Sequence, residues 1–202
     1  GKRAFHEMLP TRTHSLEAGR IYRKISYGPM LDVFMLDLRS YRGPNTGGDQ
    51  IELDDQSSVL GATQMAWFKQ TLMESQATWK VIASDMPIGL VIWDDYRSSS
   101  GVEGIANGIK GAPLGRELEL AGLLRSLKQH DVKNTLWITA DVHYTAAHHY
   151  HPDRAAFKEF LPFWEFVSGP IHAGTFGLSQ LDDTFGPEVK FSKVPTTAQG
   201  VN

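Results

Sequence analysis

Cysteine is absent from the 202 residues. That absence removes disulfides, thiolate metal ligands and a cysteine nucleophile together, and it fits a reducing or an oxidising compartment equally. Long apolar runs are also missing: nothing approaches the ~20 consecutive apolar residues of a membrane-spanning helix. The opening GKRAFHEMLPTRTHSLEAGR lacks the apolar stretch of a signal peptide. Lysine and arginine form no block, and 20 basic against 23 acidic residues leave a formal charge of −3. Composition therefore offers no surface for nucleic acid and no polybasic hold on an anionic membrane. Several catalytic signatures are lacking too. There is no G-x-S-x-G elbow and no Walker loop, and GIANGIKG does not follow a strand as a dinucleotide fingerprint must. The histidines never take the i, i+4 spacing of a zincin helix.

What is present fits one globular domain, since 41% apolar residues suffice for a buried core. LDVFML (31–36) reads as a buried strand that runs into a polar loop. SSVLGATQMAWFKQTLMES places Leu60, Met65, Phe68 and Leu72 at helical spacing, with the leading serines as candidate caps. WKVIAS (79–84) and GLVIW (89–93) are strand candidates around a tight Asp-Met-Pro connection. Residues 94–115 lack periodicity, and a connection of that length is usually functional or disordered. RELELAGLLRSLKQHD is an amphipathic helix that leads through a turn into strand TLWIT. FWEFVSG is a further strand, followed by a loop-rich tail. Strands that alternate with helices predict an α/β layered fold, and their uninterrupted apolar character predicts a sheet covered on both faces.

In such folds ligands sit beyond the strand ends, which directs attention to Asp37, Asp85, Asp141 and Ser168. Asp141 and His143 follow TLWITA with one residue between them. If that segment stays extended, both side chains fall on one side and can meet a single borderline metal ion. A loop aspartate that caps backbone amides beside a surface histidine explains the same spacing. His148, His149 and His151 read as surface groups or as supports for a metal ligand. Asp85 is either a turn former or a further ligand, and the amide oxygen of Asn107, in the long loop, is a donor of the type that completes a hard-metal shell. Asp37 and Arg39 are an ion pair that braces a strand end, or Arg39 is aimed at an anionic substrate. Arg116 opens a helix against its dipole, so an acidic neighbour or a bound anion should compensate it.

Taken in order, MLDLRSYR, LGATQMAWFKQTLMESQATWKVIASDMPIG, ANGIKGAPLGRELELAGLL, NTLWITADVHYTAAH and EFVSGPIHAG resemble the C-terminal half of the PhoD-like alkaline phosphatases, a metallophosphoesterase family. The resemblance implies the C-terminal portion of a layered α/β/β/α sandwich spanning 1–202, hydrolysis of phosphate monoesters or diesters, iron and calcium as metal ions, and a periplasmic or extracellular location. The family's Gly-Asp-x-His pattern falls on Ala140, Asp141 and His143, which makes Asp141 and His143 metal ligands, with Asn107 and Asp85 as further candidates. Arg39 and Arg116 become candidate contacts to the phosphate ester. His172 becomes a candidate to touch the phosphate or to protonate the leaving oxygen. The family's N-terminal ligand segments have no counterpart here, so the chain reads as a fragment of a longer protein whose cut sheet exposes an edge open to homodimerisation. A non-catalytic binding or interaction module on the same scaffold is the alternative.

Overall fold

A computed structural model describes residues 1–194; the last eight residues of the expected 1–202 unit, and of the expected tail, lie outside it. The chain begins with helix α1 (Lys2–Met8), followed by strands β1 (Arg23–Tyr27) and β2 (Leu31–Met35). Helix α2 (Gly61–Glu74) leads to β3 (Trp79–Ala83), and β4 (Trp93–Asp95) and β5 (Ser100–Val102) form a small hairpin within the long loop. Helix α3 (Glu117–Gln129), β6 (Thr135–Thr139), β7 (Thr145–Tyr150), β8 (Phe163–Val167) and β9 (Pro187–Lys193) complete the order. Seven strands make one mixed sheet in the order β1-β2-β3-β6-β8-β7-β9. Strands β2, β3, β6 and β8 run parallel at its centre, and β1, β7 and β9 are antiparallel to their neighbours. The loop-rich tail also holds an edge strand, β9, which was not expected from the sequence.

Helices α2 and α3 pack against each other, and the alternation of the central strands sends Phe34, Ile82, Trp137 and Phe163 into the core beneath them. Phe68 of α2 meets both Phe34 and the edge of Trp137, at ring centroids 5.9 and 6.4 Å apart. All four residues expected on the buried face of α2 are buried. Truncating one of them, such as Leu72→Ala, should cost about 2–5 kcal/mol. The serines expected to cap α2 do not. Its N-terminal amides are served by Glu119 of α3, whose carboxylate accepts from Val59 N and Leu60 N at 2.7 Å each. A carboxylate there offsets the helix dipole as well.

The expectation of a sheet covered on both faces is overturned. Apolar side chains also point the other way, in rows fixed by strand register: Val33, Val81, Leu136 and Trp164, then Met35, Ala83, Ile138 and Phe166. No described element covers these rows, and Trp79 is 49% and Phe166 41% exposed. What stands open is therefore a sheet face as well as the edge strands β1 and β9, whose residues are mostly exposed.

GLVIW is buried up to Trp93 but is not a strand of the main sheet; Trp93 opens β4, and the rest makes isolated bridges, Leu90 to Leu181 and Val91 to Ala106. Loop backbone takes up most of its hydrogen bonds, as in Val91 N to Gln180 O and Glu103 N to Ile92 O, and side chains serve its start. Ile88 N donates to the Glu165 carboxylate at 2.8 Å and Gly89 N to the Tyr150 hydroxyl at 3.0 Å. A Cβ at Gly89 would stand 2.9 Å from that hydroxyl, so the approach requires glycine. Glu165 also accepts from Thr139 Oγ1, Tyr150 OH and His148 Nδ1. His148 is accordingly a core residue, 1% exposed, and not a surface group. His149 and His151 flank it, partly exposed.

Candidate active site

The ends of β2, β3 and β6 converge. Leu36 N donates to Ala83 O, Ser84 N to Ile138 O, and Ala140 N to Asp85 O, which sets Asp37, Asp85 and Asp141 just past one rim of the sheet. Gln64, fully buried on α2, grips Asp37 reciprocally: its Oε1 accepts from Asp37 N and its Nε2 donates to Asp37 O, both at 2.9 Å. Asp37 Oδ1 then accepts from Arg39 N and Ser40 N, an Asx turn that aims Arg39. The expected Asp37–Arg39 side-chain pair is not formed. Arg39 reaches across the rim instead, with Nε 2.9 Å from Asp85 Oδ2, Nη1 2.8 Å from Glu103 Oε1 and Nη2 3.6 Å from Asp141 Oδ1. These carboxylates hold the guanidinium's pKa above its ordinary value despite the cost of burial. In return, burial first and then the Glu103 carboxylate push the Asp141 carboxyl upward, while Arg39 pulls the other way.

Asp141 and His143 are not extended. Both are left-handed, at φ 70° and 58°, so the expected same-side geometry of an extended run does not hold and the peptide between them is kinked. Non-glycine residues held in that region cost of order 1–3 kcal/mol each and cluster at functional sites. Ala140, where the family pattern has glycine, is not among the positive-φ residues, so its methyl group meets no backbone penalty. His143 Nδ1 lies 2.6 Å from Gly174 O. Since a carbonyl only accepts, Nδ1 carries the hydrogen and the neutral ring keeps its lone pair on Nε2. The ring stacks on Phe176 at 4.5 Å between centroids, which fixes its plane.

That arrangement is what a ligating histidine requires: one nitrogen tied to an oxygen, the other free. Asp85 Oδ1 and Asp37 Oδ2 add buried carboxylate oxygens without hydrogen-bond partners among the described residues. The residues present therefore fit a metal ion in part. Among the described residues no three histidine or acidic side chains form a group able to hold one.

Two of the expected site residues are placed elsewhere. Asn107 is buried and its amide is engaged within the loop: Nδ2 donates to Leu114 O and to Glu117 Oε2, and Oδ1 accepts from Ile109 N. These bonds shape the long loop. Arg116 is 5% exposed. Its Nη1 donates to the carbonyls of Val102, Glu103 and Gly104, and its Nη2 to Gly43 O, Pro44 O and Asn45 Oδ1. It clamps two loops, and the carbonyls are the compensation its position at a helix start demanded. Burial lowers its pKa to about 10, which leaves it charged at neutral pH. His172 is exposed in the loop that supplies Gly174 and Phe176 to His143. Sequence reasoning missed Glu103, although the long loop that carries it was marked as functional. Beside the site, Trp93, Tyr96, Val142, Phe176 and Leu178 line a groove of about 570 Å³.

A mixed α/β sheet with acidic groups, a kinked Asp-x-His and a cation at the ends of its parallel strands defines a metallophosphatase-like fold, and comparison with known proteins agrees. The chain matches the PhoD-like phosphatase family model over residues 1–200 and belongs to that family. It is 28% identical over 190 residues to alkaline phosphatase D of Bacillus subtilis (strain 168), covering 90% of this chain and 31% of that protein. Among solved structures it is similar to PhoD, with TM-score 0.60 and 23% identity over 84% of this chain and 33% of that one. It is also similar to a purple acid phosphatase isolated from yellow lupin (Lupinus luteus) seeds, with TM-score 0.51 and 13% identity over 91% of this chain and 28% of that one. The chain thus spans about a third of the length of these relatives.

Proposed function

We propose that this chain is the C-terminal part of a metal-dependent phosphoric ester hydrolase that acts on phosphate monoesters or diesters, with Asp141 and His143 as its metal ligands. The observation that carries the reading is His143 itself, whose Nδ1 is committed to Gly174 O while Nε2 has no hydrogen-bond partner among the described residues, beside an aspartate of raised pKa. When bound, a divalent or trivalent ion, iron with calcium by family likeness, supplies Lewis acidity toward water and the phosphoryl oxygens. Asp85 is the further ligand candidate, through its unpartnered Oδ1. The open sheet face and the length of the relatives support a further layer of polypeptide that brings the remaining donors.

The chain's own residues perform the rest. Asp85 and Glu103 hold Arg39 in place, and its looser Nη2, 3.6 Å from Asp141, turns toward a phosphoryl oxygen to offset charge that grows in the transition state. The groove lined by Trp93, Tyr96 and Phe176 receives the organic part of the ester. His172 donates a proton to the leaving oxygen. The location proposed is periplasmic or extracellular, on family likeness; among the described residues no helix is long and apolar enough to cross a membrane.

The test is hydrolysis of p-nitrophenyl phosphate and bis-p-nitrophenyl phosphate by protein purified from its complete gene. Asp141→Ala and His143→Ala should each reduce turnover by orders of magnitude with the fold intact. Wild-type turnover in both variants would refute the assignment, and unchanged turnover in His172→Ala would remove the proton-donor role.

A further inference from the structure

At the β1 edge of the sheet, away from the Arg39 cluster, the segment 10–14 folds over β1 and α2 and encloses a groove of about 700 Å³. Its charge is one-sided. Arg12, His14, Arg20, Arg23 and Lys24 line it, and no lining residue is acidic. Overall composition conceals this, because the chain as a whole is weakly negative and the fold does the gathering.

The individual groups show which donors remain available. Lys24 is paired with Asp32 at 3.3 Å. Arg20 lies flat over Tyr22, 4.1 Å from the ring centroid, and near Trp67, and it donates through Nε to Tyr22 O. That leaves its charge unmatched by a carboxylate and fixes its orientation. Arg23 donates through Nε to Ile21 O at 2.8 Å, while its Nη2 is buried with no hydrogen-bond partner. Thr11 Oγ1, in the same wall, is likewise buried and unpartnered. Arg12 is exposed at the rim. A buried guanidinium nitrogen without an acceptor costs free energy unless an acceptor arrives. Two buried donors, Arg23 Nη2 and Thr11 Oγ1, with the Arg12 and Arg20 cations around one space whose lining has no acidic side chain, call for an anion with several acceptor oxygens.

From these observations we propose that this groove is a second anion site, separate from the strand-end cluster, and that it binds a phosphate-type oxyanion as the free ion or as the phosphate of a small phosphomonoester. Guanidinium forks match tetrahedral oxyanions in pairs of parallel hydrogen bonds, and Thr11 adds a hydroxyl donor. The groove's volume lies in the range of small-molecule sites, roughly 300–1,000 Å³, so there is room for more than the phosphate group.

The test is calorimetric titration of protein from the complete gene with orthophosphate, with adenosine monophosphate and, as a monocarboxylate control, with acetate. Wild type and Asp141→Asn, which keeps the groove intact, should both bind phosphate. Arg12→Gln/Arg23→Gln should weaken that binding by about ten- to a hundredfold. Binding of orthophosphate alone identifies the free ion as ligand, and binding of the monophosphate as well identifies the phosphomonoester class. Equal affinity in the double variant, loss of binding in Asp141→Asn alone, acetate as strong as phosphate, or no binding tighter than about 1 mM would each overturn the proposal. If the double variant fails to fold, the single Arg12→Gln at its exposed position carries the same comparison, with a smaller loss expected and no loss refuting it.

Discussion

Glu117 opens helix α3, yet its carboxylate is fully buried. There it accepts from Asn107 Nδ2 at 3.0 Å, Leu114 N at 3.2 Å and Thr184 Oγ1 at 3.2 Å, all through Oε2. Burial, and then the neighbouring Asp182 carboxylate, push its pKa up from 4.5 to about 8. A carboxyl whose folded pKa is raised holds its proton more tightly in the native state than in the unfolded one. Its contribution to stability is therefore fully present below the unfolded value and declines as pH rises toward the folded value. At ~1.4 kcal/mol for each pH unit of that window, the loss assigned to Glu117 between about pH 4.5 and 8 is about 3–5 kcal/mol. Glu117→Gln removes the titration and keeps an amide oxygen for the three donors. Urea unfolding followed by tryptophan fluorescence, repeated across that window, should give a wild-type stability that falls with pH and a variant curve flatter by about that amount. Parallel curves for the two proteins would refute both the protonated state of Glu117 and the reasoning from burial.

Other predictions address the remaining assignments. Arg116→Lys should lower stability by about 2–4 kcal/mol, because three ammonium donors cannot serve six acceptors on two loops; an unchanged urea midpoint would return Arg116 to a ligand-binding role. Glu119→Ala should cost about 2–3 kcal/mol and speed hydrogen exchange at the Val59 and Leu60 amides, which lose their acceptor. Phe166→Lys on the open sheet face should change stability by no more than about 0.5 kcal/mol while reducing binding of an apolar dye and any self-association of the chain. A large destabilisation would show that this face is covered.

Most strands and both helices around the core were legible because each carries its own signal, whereas β7, with two histidines in TAAHHY, did not read as a strand. The period of Leu60, Met65, Phe68 and Leu72 marks α2, and the dense apolar runs at 31–36, 79–84 and 135–139 mark the parallel strands. The same runs misled about the second face. Apolar residues on both sides of a strand record that both sides are meant to be covered, but not that the cover lies within these residues. β1 and β9 escaped notice because RKISY and PEVKFSK mix charge with apolar residues, as edge strands do. GLVIW shows another limit. A buried run need not join the sheet when loop backbone and the Tyr150 hydroxyl supply its hydrogen bonds from elsewhere in the chain.

At the rim, Asp85 and Asp141 were singled out by the rule that ligands gather beyond strand ends and Arg39 by its spacing from Asp37, and the structure brings these three together. His143 was chosen for its spacing, but its usable lone pair depends on Gly174 O, 31 residues on. For Asn107 and Arg116, residue type alone could not show how many of their donors are taken by loop groups. Glu103 carried no local signal beyond its place in a long loop.

The central claim is that His143 presents Nε2 to a metal ion. The most direct measurement is the metal content per chain of protein purified from its complete gene, wild type against His143→Ala. The account predicts bound metal in the wild type and a marked loss in the variant at unchanged secondary structure. Equal metal content in the two proteins would contradict it and leave the kinked Asp-x-His a structural turn.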